Sequence, residues 1–290
     1  MSISLSILIP AYGYAEGVER ILSSLGVDPP GELDILISDD SLDGQVSQLV
    51  SDFSRRYRGK LRYIRNRPSL GAIANWNFLL EQASGEYILL LHHDEYPLGE
   101  KFAQRALCLL STASEIDVFV MDCILKSSTG ADVRPHVPGI IRNLVLKYFP
   151  AYLFKRNVVG PASCLIARRA LYPRFDERLR WLVDVDAYFR LRQATGLWRV
   201  SDDLKIGSAL GRKDSITASI KDDLKDLDAR ERVYLSQKHP VVRVWLNPRL
   251  HWVLNALEGI AWMSMRVVTR LCYRVACFLR VAPISAFRFK

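Results

Sequence analysis

Residues 83–95 read Ala-Ser-Gly-Glu-Tyr-Ile-Leu-Leu-Leu-His-His-Asp-Glu, and this stretch decides the fold class. Before it, residues from Leu70 to Ala83 follow helical spacing, and Ser84-Gly85 is a typical helix end. The run from Tyr87 to Leu91 is apolar at every position, which predicts a fully buried strand. A helix that passes into such a strand indicates an α/β fold with a mostly parallel sheet flanked by helices.

The same alternation extends back to the N-terminus. Short apolar runs predict three more strands, at Leu5–Ile9, Leu33–Ile37 and Leu61–Ile64. Between them, two groups of apolar residues follow helical spacing: Val18, Ile21, Leu22 and Leu25, and then Val46, Leu49, Val50 and Phe53. Strands and helices in this order predict parallel pairing with right-handed crossovers.

Composition excludes several classes of protein. The chain has 290 residues, 49% hydrophobic and 24% charged, which is typical of globular proteins and unlike collagen or disordered chains. Five cysteines without regular spacing do not form a disulfide framework, so a reducing compartment is expected. The N-terminus lacks the features of a signal peptide, and no run of 18 uncharged apolar residues predicts a transmembrane helix.

The positive charge lies mostly in the C-terminal segment. Between Val241 and Lys290 there are eight basic residues and one acid, Glu258, so this segment carries +7 of the formal +9. The rest of the chain is nearly neutral, which argues against a nucleic-acid partner. Arg270 and Arg274 lie one helical turn apart within an apolar and aromatic segment, which predicts an amphipathic helix on an anionic membrane surface. The alternative is a helical pair packed on the body, with its arginines in solvent.

Polar residues follow three of the predicted strands. The first strand ends in Pro10-Ala11-Tyr12, the second in Asp39-Asp40-Ser41 and the fourth in His92-His93-Asp94-Glu95. In open α/β sheets, ligands bind beyond the carboxyl ends of the strands. A nucleotide with a metal-bound diphosphate fits these residues. Tyr12 would pack near the base, Asp39 or Asp40 would accept from a base N–H or a ribose hydroxyl, and Asp94 would be an oxygen ligand for Mg²⁺ or Mn²⁺.

Two of these clusters have other interpretations. Asp39-Asp40-Ser41 is also typical of a turn and helix N-cap. His92-His93-Asp94 is also compatible with a zinc site, although spacing supplies no further ligand.

Several segments together resemble the nucleotide-sugar-binding half of the family 2 glycosyltransferases, the inverting GT-A type. They are Ser6–Tyr12, Ile37–Asp43, Ala74–Asn77 and Ala83–Ile88. The resemblance implies a GT-A fold and a nucleotide-diphosphate-sugar donor. It assigns the base or ribose contact to Asp40, and the residues implied to bind the nucleotide sugar also include Pro10, Ala11, Tyr12, Asn77, His92 and His93.

The metal motif departs from the family pattern. The usual Asp-x-Asp is here His92-His93-Asp94, so Asp94 keeps the expected metal contact. His92 stands at the first position, where it could hold the ribose or a metal-bound water. The cofactor implied by the resemblance is Mn²⁺ or Mg²⁺.

The segment from Trp181 to Leu191 resembles the family's Glu-Asp-x-Asp helix start, with Val183 in place of the Glu. The resemblance makes Asp184 the general base of an inverting displacement. Apolar neighbours would raise its pKa, which suits a base. The alternative is that Asp184 or Asp186 caps the helix.

Many relatives carry a His further along the chain that helps to bind the diphosphate. In this chain, Arg212 or Lys213 is the candidate for that contact.

These expectations combine into one function. The chain is identified as a member of the family that transfers a sugar, with inversion, to a saccharide or polyprenyl-linked acceptor in cell-surface polysaccharide synthesis. It would act in the cytoplasm as a peripheral protein of the inner membrane face. Residues 1–218 would form the catalytic domain, with a donor half at 1–97 and an acceptor half at 98–218, and residues 219–290 the basic helical tail.

Two other functions remain open. One is a nucleotide-sugar-binding or scaffold protein that kept the fold without catalysis. The other is a sugar nucleotidyltransferase, which would need a basic loop after the first strand. The segment Ala11–Gly17 contains no basic residue.

Overall fold

The computed structural model describes residues 3–127, 130–209 and 223–243. Its N-terminal half contains four strands in the order β3-β2-β1-β4, all parallel to their neighbours. They are β1 (Leu5–Ala11), β2 (Leu33–Asp39), β3 (Lys60–Arg65) and β4 (Tyr87–Leu90). This confirms the predicted parallel arrangement for this half of the sheet.

Three helices connect these strands: α1 (Ala15–Leu25), α2 (Gln45–Ser54) and α3 (Ala72–Gln82). Every residue of β1 and β2 is buried, which explains why their sequences are apolar runs rather than alternating ones. The apolar stripe of α1, formed by Val18, Ile21, Leu22 and Leu25, is buried in the same core.

The second half of the sheet mixes strand directions. Its elements are β5 (Glu95–Leu98), α4 (Phe102–Thr112), β6 (Val118–Lys126), β7 (Asp132–Pro135), α5 (Gly139–Tyr148), β8 (Leu165–Arg168), α6 (Val183–Ala194), β9 (Trp198–Ala209) and α7 (Leu224–Lys238). The sheet continues from β4 as β8-β6-β9-β5, and β7 pairs with β6. Strand β8 runs antiparallel to both β4 and β6, whereas β6 and β9 are parallel. The described residues thus form one nine-stranded sheet.

A glycine allows the turn before β4 to lie directly on β1. A Cβ atom at Gly85 would lie 2.5 Å from the backbone nitrogen of Ser6, so no side chain fits there. The Ser6 hydroxyl accepts hydrogen bonds from the backbone nitrogens of Gly85 (2.8 Å) and Ser84 (3.3 Å). The turn therefore fixes the register of β4 against β1.

Two compact units divide the chain, one ending at Glu231 and one beginning at Arg232. In the second unit the description reaches residue 243 and includes a short 3-10 turn, Pro240–Val242, whose Val242 is buried. The predicted boundary at residue 218 and the predicted basic helix around Arg270 lie outside the described residues. Among the described helices, none is long and apolar enough to cross a bilayer.

Candidate active site

The ends of β1, β2 and β4 meet at one edge of the sheet, as the sequence predicted. Backbone hydrogen bonds connect these strand ends: Asp40 N donates to Ala11 O (2.9 Å), and Leu91 N donates to Leu8 O (2.8 Å). The backbone nitrogen of Gly13 also donates to the Ser41 hydroxyl at 2.8 Å. The polar residues that follow the three strands therefore share one edge of the sheet.

At the end of β1, only one of the three predicted residues has an exposed side chain. Pro10 and Ala11 are buried within the sheet, whereas the ring of Tyr12 is 58% exposed. Gly13 follows with a φ of +61°, a conformation that favours glycine. The chain turns there, and the ring of Tyr12 remains open to solvent for contact with a planar group.

Asp40 is buried and bridges two parts of the chain. Its carboxylate accepts hydrogen bonds from Gly71 N (2.8 Å), Leu70 N (3.1 Å) and the Asn66 side-chain amide (2.7 Å). These bonds hold the loop before α3 against the end of β2. The predicted contact of Asp40 with a base or ribose stays a prediction.

Asp39 has the turn-forming role that was the alternative interpretation of this cluster. One carboxylate oxygen accepts from Ser41 N (2.8 Å) and the other accepts from the Tyr63 hydroxyl (2.7 Å). Burial and this hydrogen bond raise the pKa of Tyr63 to about 12. Helix α2 begins only at Gln45 and has no side-chain cap from this cluster.

A possible metal site follows β4. The ligand atoms of His92, Asp94 and Glu95 all lie within 4.8 Å of one another, and theirs is the single such group in the described part of the chain. His93 does not belong to it. A Cβ atom at Gly17 would lie 2.0 Å from the His93 carbonyl oxygen, and the rings of His93 and Tyr14 are 5.7 Å apart. His93 therefore packs against the start of α1, which removes the second histidine from the zinc interpretation.

His92 is held in place by an aromatic ring. The imidazole stacks on Trp76 of α3, with ring centroids 4.5 Å apart and an interplanar angle of 28°. Its backbone nitrogen donates to the Ser163 hydroxyl at 3.0 Å. Burial lowers the pKa of His92 to about 4, although the charge of Asp94 opposes part of this shift. The imidazole is therefore neutral at pH 7, and its Nε2 has no hydrogen-bond partner in the residues described.

Glu95 belongs to the site, although the sequence analysis assigned it no role. Its carboxyl group accepts a hydrogen bond from the hydroxyl of Ser163, and Ser208 donates to it at 3.4 Å. Burial raises the pKa of Glu95 well above its usual range, and the negative charges of Asp94 and Asp184 add to the shift. A bound cation would oppose this effect because it stabilises the carboxylate. The position of Glu95 directly after Asp94 was the available signal.

The donor set fits a divalent cation. An imidazole nitrogen that has no hydrogen-bond partner in the described part of the chain and two carboxyl groups suit Mn²⁺ well. The carboxylates also suit Mg²⁺. The same atoms approach one another closely enough to share one ion.

Asn77 has a structural role. Its side-chain carbonyl oxygen accepts from Phe175 N (2.7 Å), and its amide nitrogen donates to Phe175 O (3.0 Å) and Glu177 Oε1 (3.1 Å). The buried Asn77 thereby fastens α3 to the segment that leads into α6. Its predicted contact with the nucleotide sugar stays a prediction.

Asp184 lies in the first turn of α6 and does not cap the helix. The helix has no side-chain cap, and Oδ1 of Asp184 has no hydrogen-bond partner within residues 3–127, 130–209 and 223–243. Burial raises the pKa of Asp184 to about 7. Burial raises the pKa values of Tyr172 and Tyr188, and the charge of Asp184 adds to both shifts. These properties suit a general base and contradict the N-cap alternative for this residue.

Asp186, the other acid in this turn, is already paired. It is fully buried and forms an ion pair with Arg190 at 2.8 Å, one turn along α6. Arg190 also donates to Arg174 O at 2.6 Å. A carboxylate stabilised by this ion pair is a poor base, which leaves Asp184 as the candidate.

The start of α6 is held by a residue that the sequence analysis missed. The buried carboxylate of Glu231, in α7, accepts hydrogen bonds from three successive backbone nitrogens: Arg180 (2.6 Å), Trp181 (3.1 Å) and Leu182 (2.7 Å). A negative charge at a helix N-terminus is favourable. Glu231 thus fixes the backbone two residues before Asp184. It lies in a charged helix 50 residues away, so no local pattern pointed to it.

The predicted diphosphate contacts Arg212 and Lys213 lie outside the described residues. Their proposed role stays a prediction.

Residues 6–169 match the sequence profile of glycosyl transferase family 2. The poly(ribitol-phosphate) beta-N-acetylglucosaminyltransferase TarS of Staphylococcus aureus is 26% identical over 189 residues, which cover 63% of this chain and 29% of TarS. The amylovoran biosynthesis glycosyltransferase AmsB of Erwinia amylovora is 27% identical over 198 residues, covering 65% of this chain and 64% of AmsB. The alignments with these and other curated relatives cover only part of each relative, between 16% and 66% of its length.

A solved structure has the same fold. The crystal structure of Staphylococcus aureus TarS 1-349 in complex with UDP-GlcNAc superposes with a TM-score of 0.56 and 19% identity, covering 74% of this chain and 61% of that one. At this level of identity the similarity concerns the fold, and it agrees with the predicted GT-A architecture.

Proposed function

Since the chain belongs to glycosyl transferase family 2, we propose that it transfers a sugar from a nucleotide-diphosphate donor to a saccharide or polyprenyl-linked acceptor. The relatives TarS and AmsB support a role in cell-surface polysaccharide synthesis. TarS was solved with UDP-GlcNAc and with UDP, which supports a nucleotide-sugar donor.

One observation carries the proposal. Burial raises the pKa of Asp184 to about 7, and its Oδ1 has no hydrogen-bond partner among the described residues. Its charge also adds to the effect of burial on the pKa of Glu95, a member of the possible metal site. An inverting displacement needs these two functions near each other, a base for the acceptor hydroxyl and a centre that stabilises the departing diphosphate.

In the proposed mechanism, Asp184 accepts the proton of the acceptor hydroxyl as the oxygen attacks the anomeric carbon. The acceptor would approach from the α6 side, opposite the bond to the diphosphate, so a single displacement inverts the anomeric configuration. Tyr12 would pack against the base of the nucleotide. Buried Glu231 holds the start of α6, so Asp184 stays in position without forming a cap.

A divalent cation would be held by Asp94, with His92 and Glu95 as the neighbouring donors. When bound, it supplies positive charge that stabilises a leaving diphosphate. His92 would approach it as a neutral imidazole because burial lowers its pKa to about 4. The stacking of His92 on Trp76 fixes the direction of the ring.

The test of this function is a donor screen with the full chain. UDP-, GDP- and dTDP-sugars are incubated with Mn²⁺ or Mg²⁺, with and without saccharide and polyprenyl-diphosphate-sugar acceptors, and release of nucleoside diphosphate is measured. We expect release with one donor class, faster when an acceptor is present. If the chain binds nucleotide and Mn²⁺ but shows no turnover in any combination, the non-catalytic alternative is supported. That alternative is motivated by His92, which stands where the family usually has an acid.

We also propose that the protein is peripheral at the inner membrane face, held by its basic C-terminal segment. The charge of +7 between Val241 and Lys290 supports this, as does the four-residue spacing of Arg270 and Arg274, which predicts that they share a helical face. A membrane position would bring the protein near a polyprenyl-linked acceptor.

Replacing Arg270 and Arg274 together by Gln should weaken binding to anionic vesicles. Each basic residue near such a surface contributes about 1 kcal/mol, so the double variant should lose about 2 kcal/mol, or roughly thirtyfold in partitioning. Cosedimentation at low salt measures this. The control removes the same charge from two exposed positions just after α2, Arg55→Gln with Arg58→Gln. Equal partitioning of the two double variants would show that the tail is not the contact.

A further inference from the structure

Four large apolar side chains are exposed along one side of α5. They are Ile140 (71% exposed), Leu144 (52%), Tyr148 (57%) and Phe149 (67%), the last directly after the helix. The first three follow one another at intervals of four residues, so they share one helix face. A contiguous exposed apolar patch of this kind marks a site of interaction.

The opposite side of α5 is fixed to the protein. Arg142 and Leu146 are buried, and the Arg142 guanidinium donates to Met121 O at 2.6 Å. Arg192 of α6 donates to Leu146 O at 2.7 Å. The inward face of α5 is thereby attached to the sheet and to the helix that carries Asp184, while the apolar stripe is directed outward.

The segment of chain that contains this stripe has no acid. Between Val133 and Phe175 there is no Asp or Glu and there are eight Arg and Lys residues, of which Arg142, Arg168 and Arg174 form ion pairs with acids outside the segment. The exposed Lys147 lies beside the stripe, with its ammonium group 5.1 Å from the centroid of the Tyr148 ring. Aromatic rings and lysines with apolar stems suit the boundary between lipid headgroups and acyl chains.

We propose that this α5 surface, formed by Ile140, Leu144, Lys147, Tyr148 and Phe149, inserts into the headgroup layer of an anionic lipid bilayer. The apolar side chains enter the layer and Lys147 stays at the level of the anionic headgroups. The absence of acids in this stretch matches the negative charge of such a surface. This contact is separate from the predicted contact of the basic tail, and it holds whether or not the chain transfers a sugar.

The experiment measures partitioning of the full chain onto vesicles of phosphatidylcholine with 30% phosphatidylglycerol, and onto pure phosphatidylcholine. Leu144→Glu and Phe149→Glu should each lower partitioning onto the mixed vesicles by about tenfold, because an apolar side chain is replaced by a charge repelled by the headgroups. Lys147→Gln should lower it by about fivefold on the mixed vesicles and leave it unchanged on pure phosphatidylcholine.

Leu197→Glu is the matched control, since Leu197 is 50% exposed and lies outside α5. The proposal is overturned if Leu144→Glu partitions like Leu197→Glu, or if the unaltered chain fails to bind the mixed vesicles. It is also overturned if Leu144→Glu converts a dimer into a monomer in sedimentation without changing partitioning, because the surface would then join two copies. If only the Arg270 and Arg274 variant loses vesicle binding, and the α5 variants keep it, the membrane contact is made by the tail and the α5 proposal is overturned.

Discussion

Asp184→Asn is expected to lower turnover by about 10² to 10⁴-fold, the usual contribution of a positioned general base. Asparagine has nearly the same size as aspartate but cannot accept a proton from the acceptor hydroxyl. Donor binding should be retained, because the residue is proposed to face the acceptor. Single-turnover rates and calorimetry with the nucleoside diphosphate separate the two effects, once the donor screen has identified a substrate.

The neighbouring acid provides the control. Asp186→Asn should remove the ion pair with Arg190, so a lower melting temperature is expected while the dependence of the rate on pH is retained. A wild-type rate in Asp184→Asn would contradict the assignment of the base.

The raised pKa of Asp184 also predicts the dependence on pH. The rate should rise with pH through about 7, as Asp184 loses its proton, and this rise should be absent in Asp184→Asn.

The stability of the folded state should change in the opposite direction, falling as pH rises. The folded state holds the proton up to about pH 7, whereas an unfolded chain releases it near pH 4, so ionisation destabilises the fold as pH rises between these values. Asp184→Asn should therefore gain melting temperature relative to the unaltered chain at pH 8 but not at pH 4. A hydrogen-bonded helix cap would show the reverse sign, since its pKa would be lowered.

The N-terminal half of the fold was predictable because β1, β2 and β4 are buried on both faces and therefore read as apolar runs. The expected runs Leu5–Ile9, Leu33–Ile37 and Leu61–Ile64 match β1, β2 and β3 apart from one or two residues at their ends. The predicted helix from Leu70 begins two residues later, at Ala72, because Gly71 has a φ of +84°, outside the helical region. The backbone N–H groups of Leu70 and Gly71 donate to Asp40.

The second half of the sheet was less accessible to sequence reasoning. Strand β8 has four residues and lies between β4 and β6, antiparallel to both. Its position is set by pairing with segments about 50 and 80 residues away. A short apolar run carries no information about such partners, so the mixed directions could not be derived locally.

Residue type alone does not reveal the internal hydrogen bonds that candidate ligand residues form. Asp40 and Asn77 have groups that can bind a nucleotide sugar, and in the structure they also hold the loop before α3 and the segment around Phe175. Their partners lie about 30 and 100 residues away. The raised pKa of Asp184 was easier to predict, since apolar residues precede it in the sequence. Its electrostatic effect on Glu95 became visible only in the folded chain.

Asp94→Ala is expected to abolish metal-dependent activity while the fold is retained. Asp94 provides an oxygen ligand at the end of β4 and is only partly buried, so its removal should cost little stability. Stabilisation of a leaving diphosphate by a metal contributes several kcal/mol, which corresponds to at least about a hundredfold to a thousandfold in rate. Release of nucleoside diphosphate across a Mn²⁺ titration measures the loss, and calorimetry with Mn²⁺ alone measures binding.

The matched control is Asp52→Ala, an exposed acid on α2 whose partner is Arg55. It should keep the rate and the metal dependence of the unaltered chain. If Asp94→Ala also keeps both, the cation is not bound at the end of β4, and the cluster of His92, Asp94 and Glu95 has a structural role. If Asp94→Ala loses activity but binds Mn²⁺ unchanged, the ion is held by other residues, and Asp94 acts on the sugar or ribose. Only joint loss of Mn²⁺ binding and metal-dependent turnover supports the assignment, because the carboxylate then contributes to both through one bound ion.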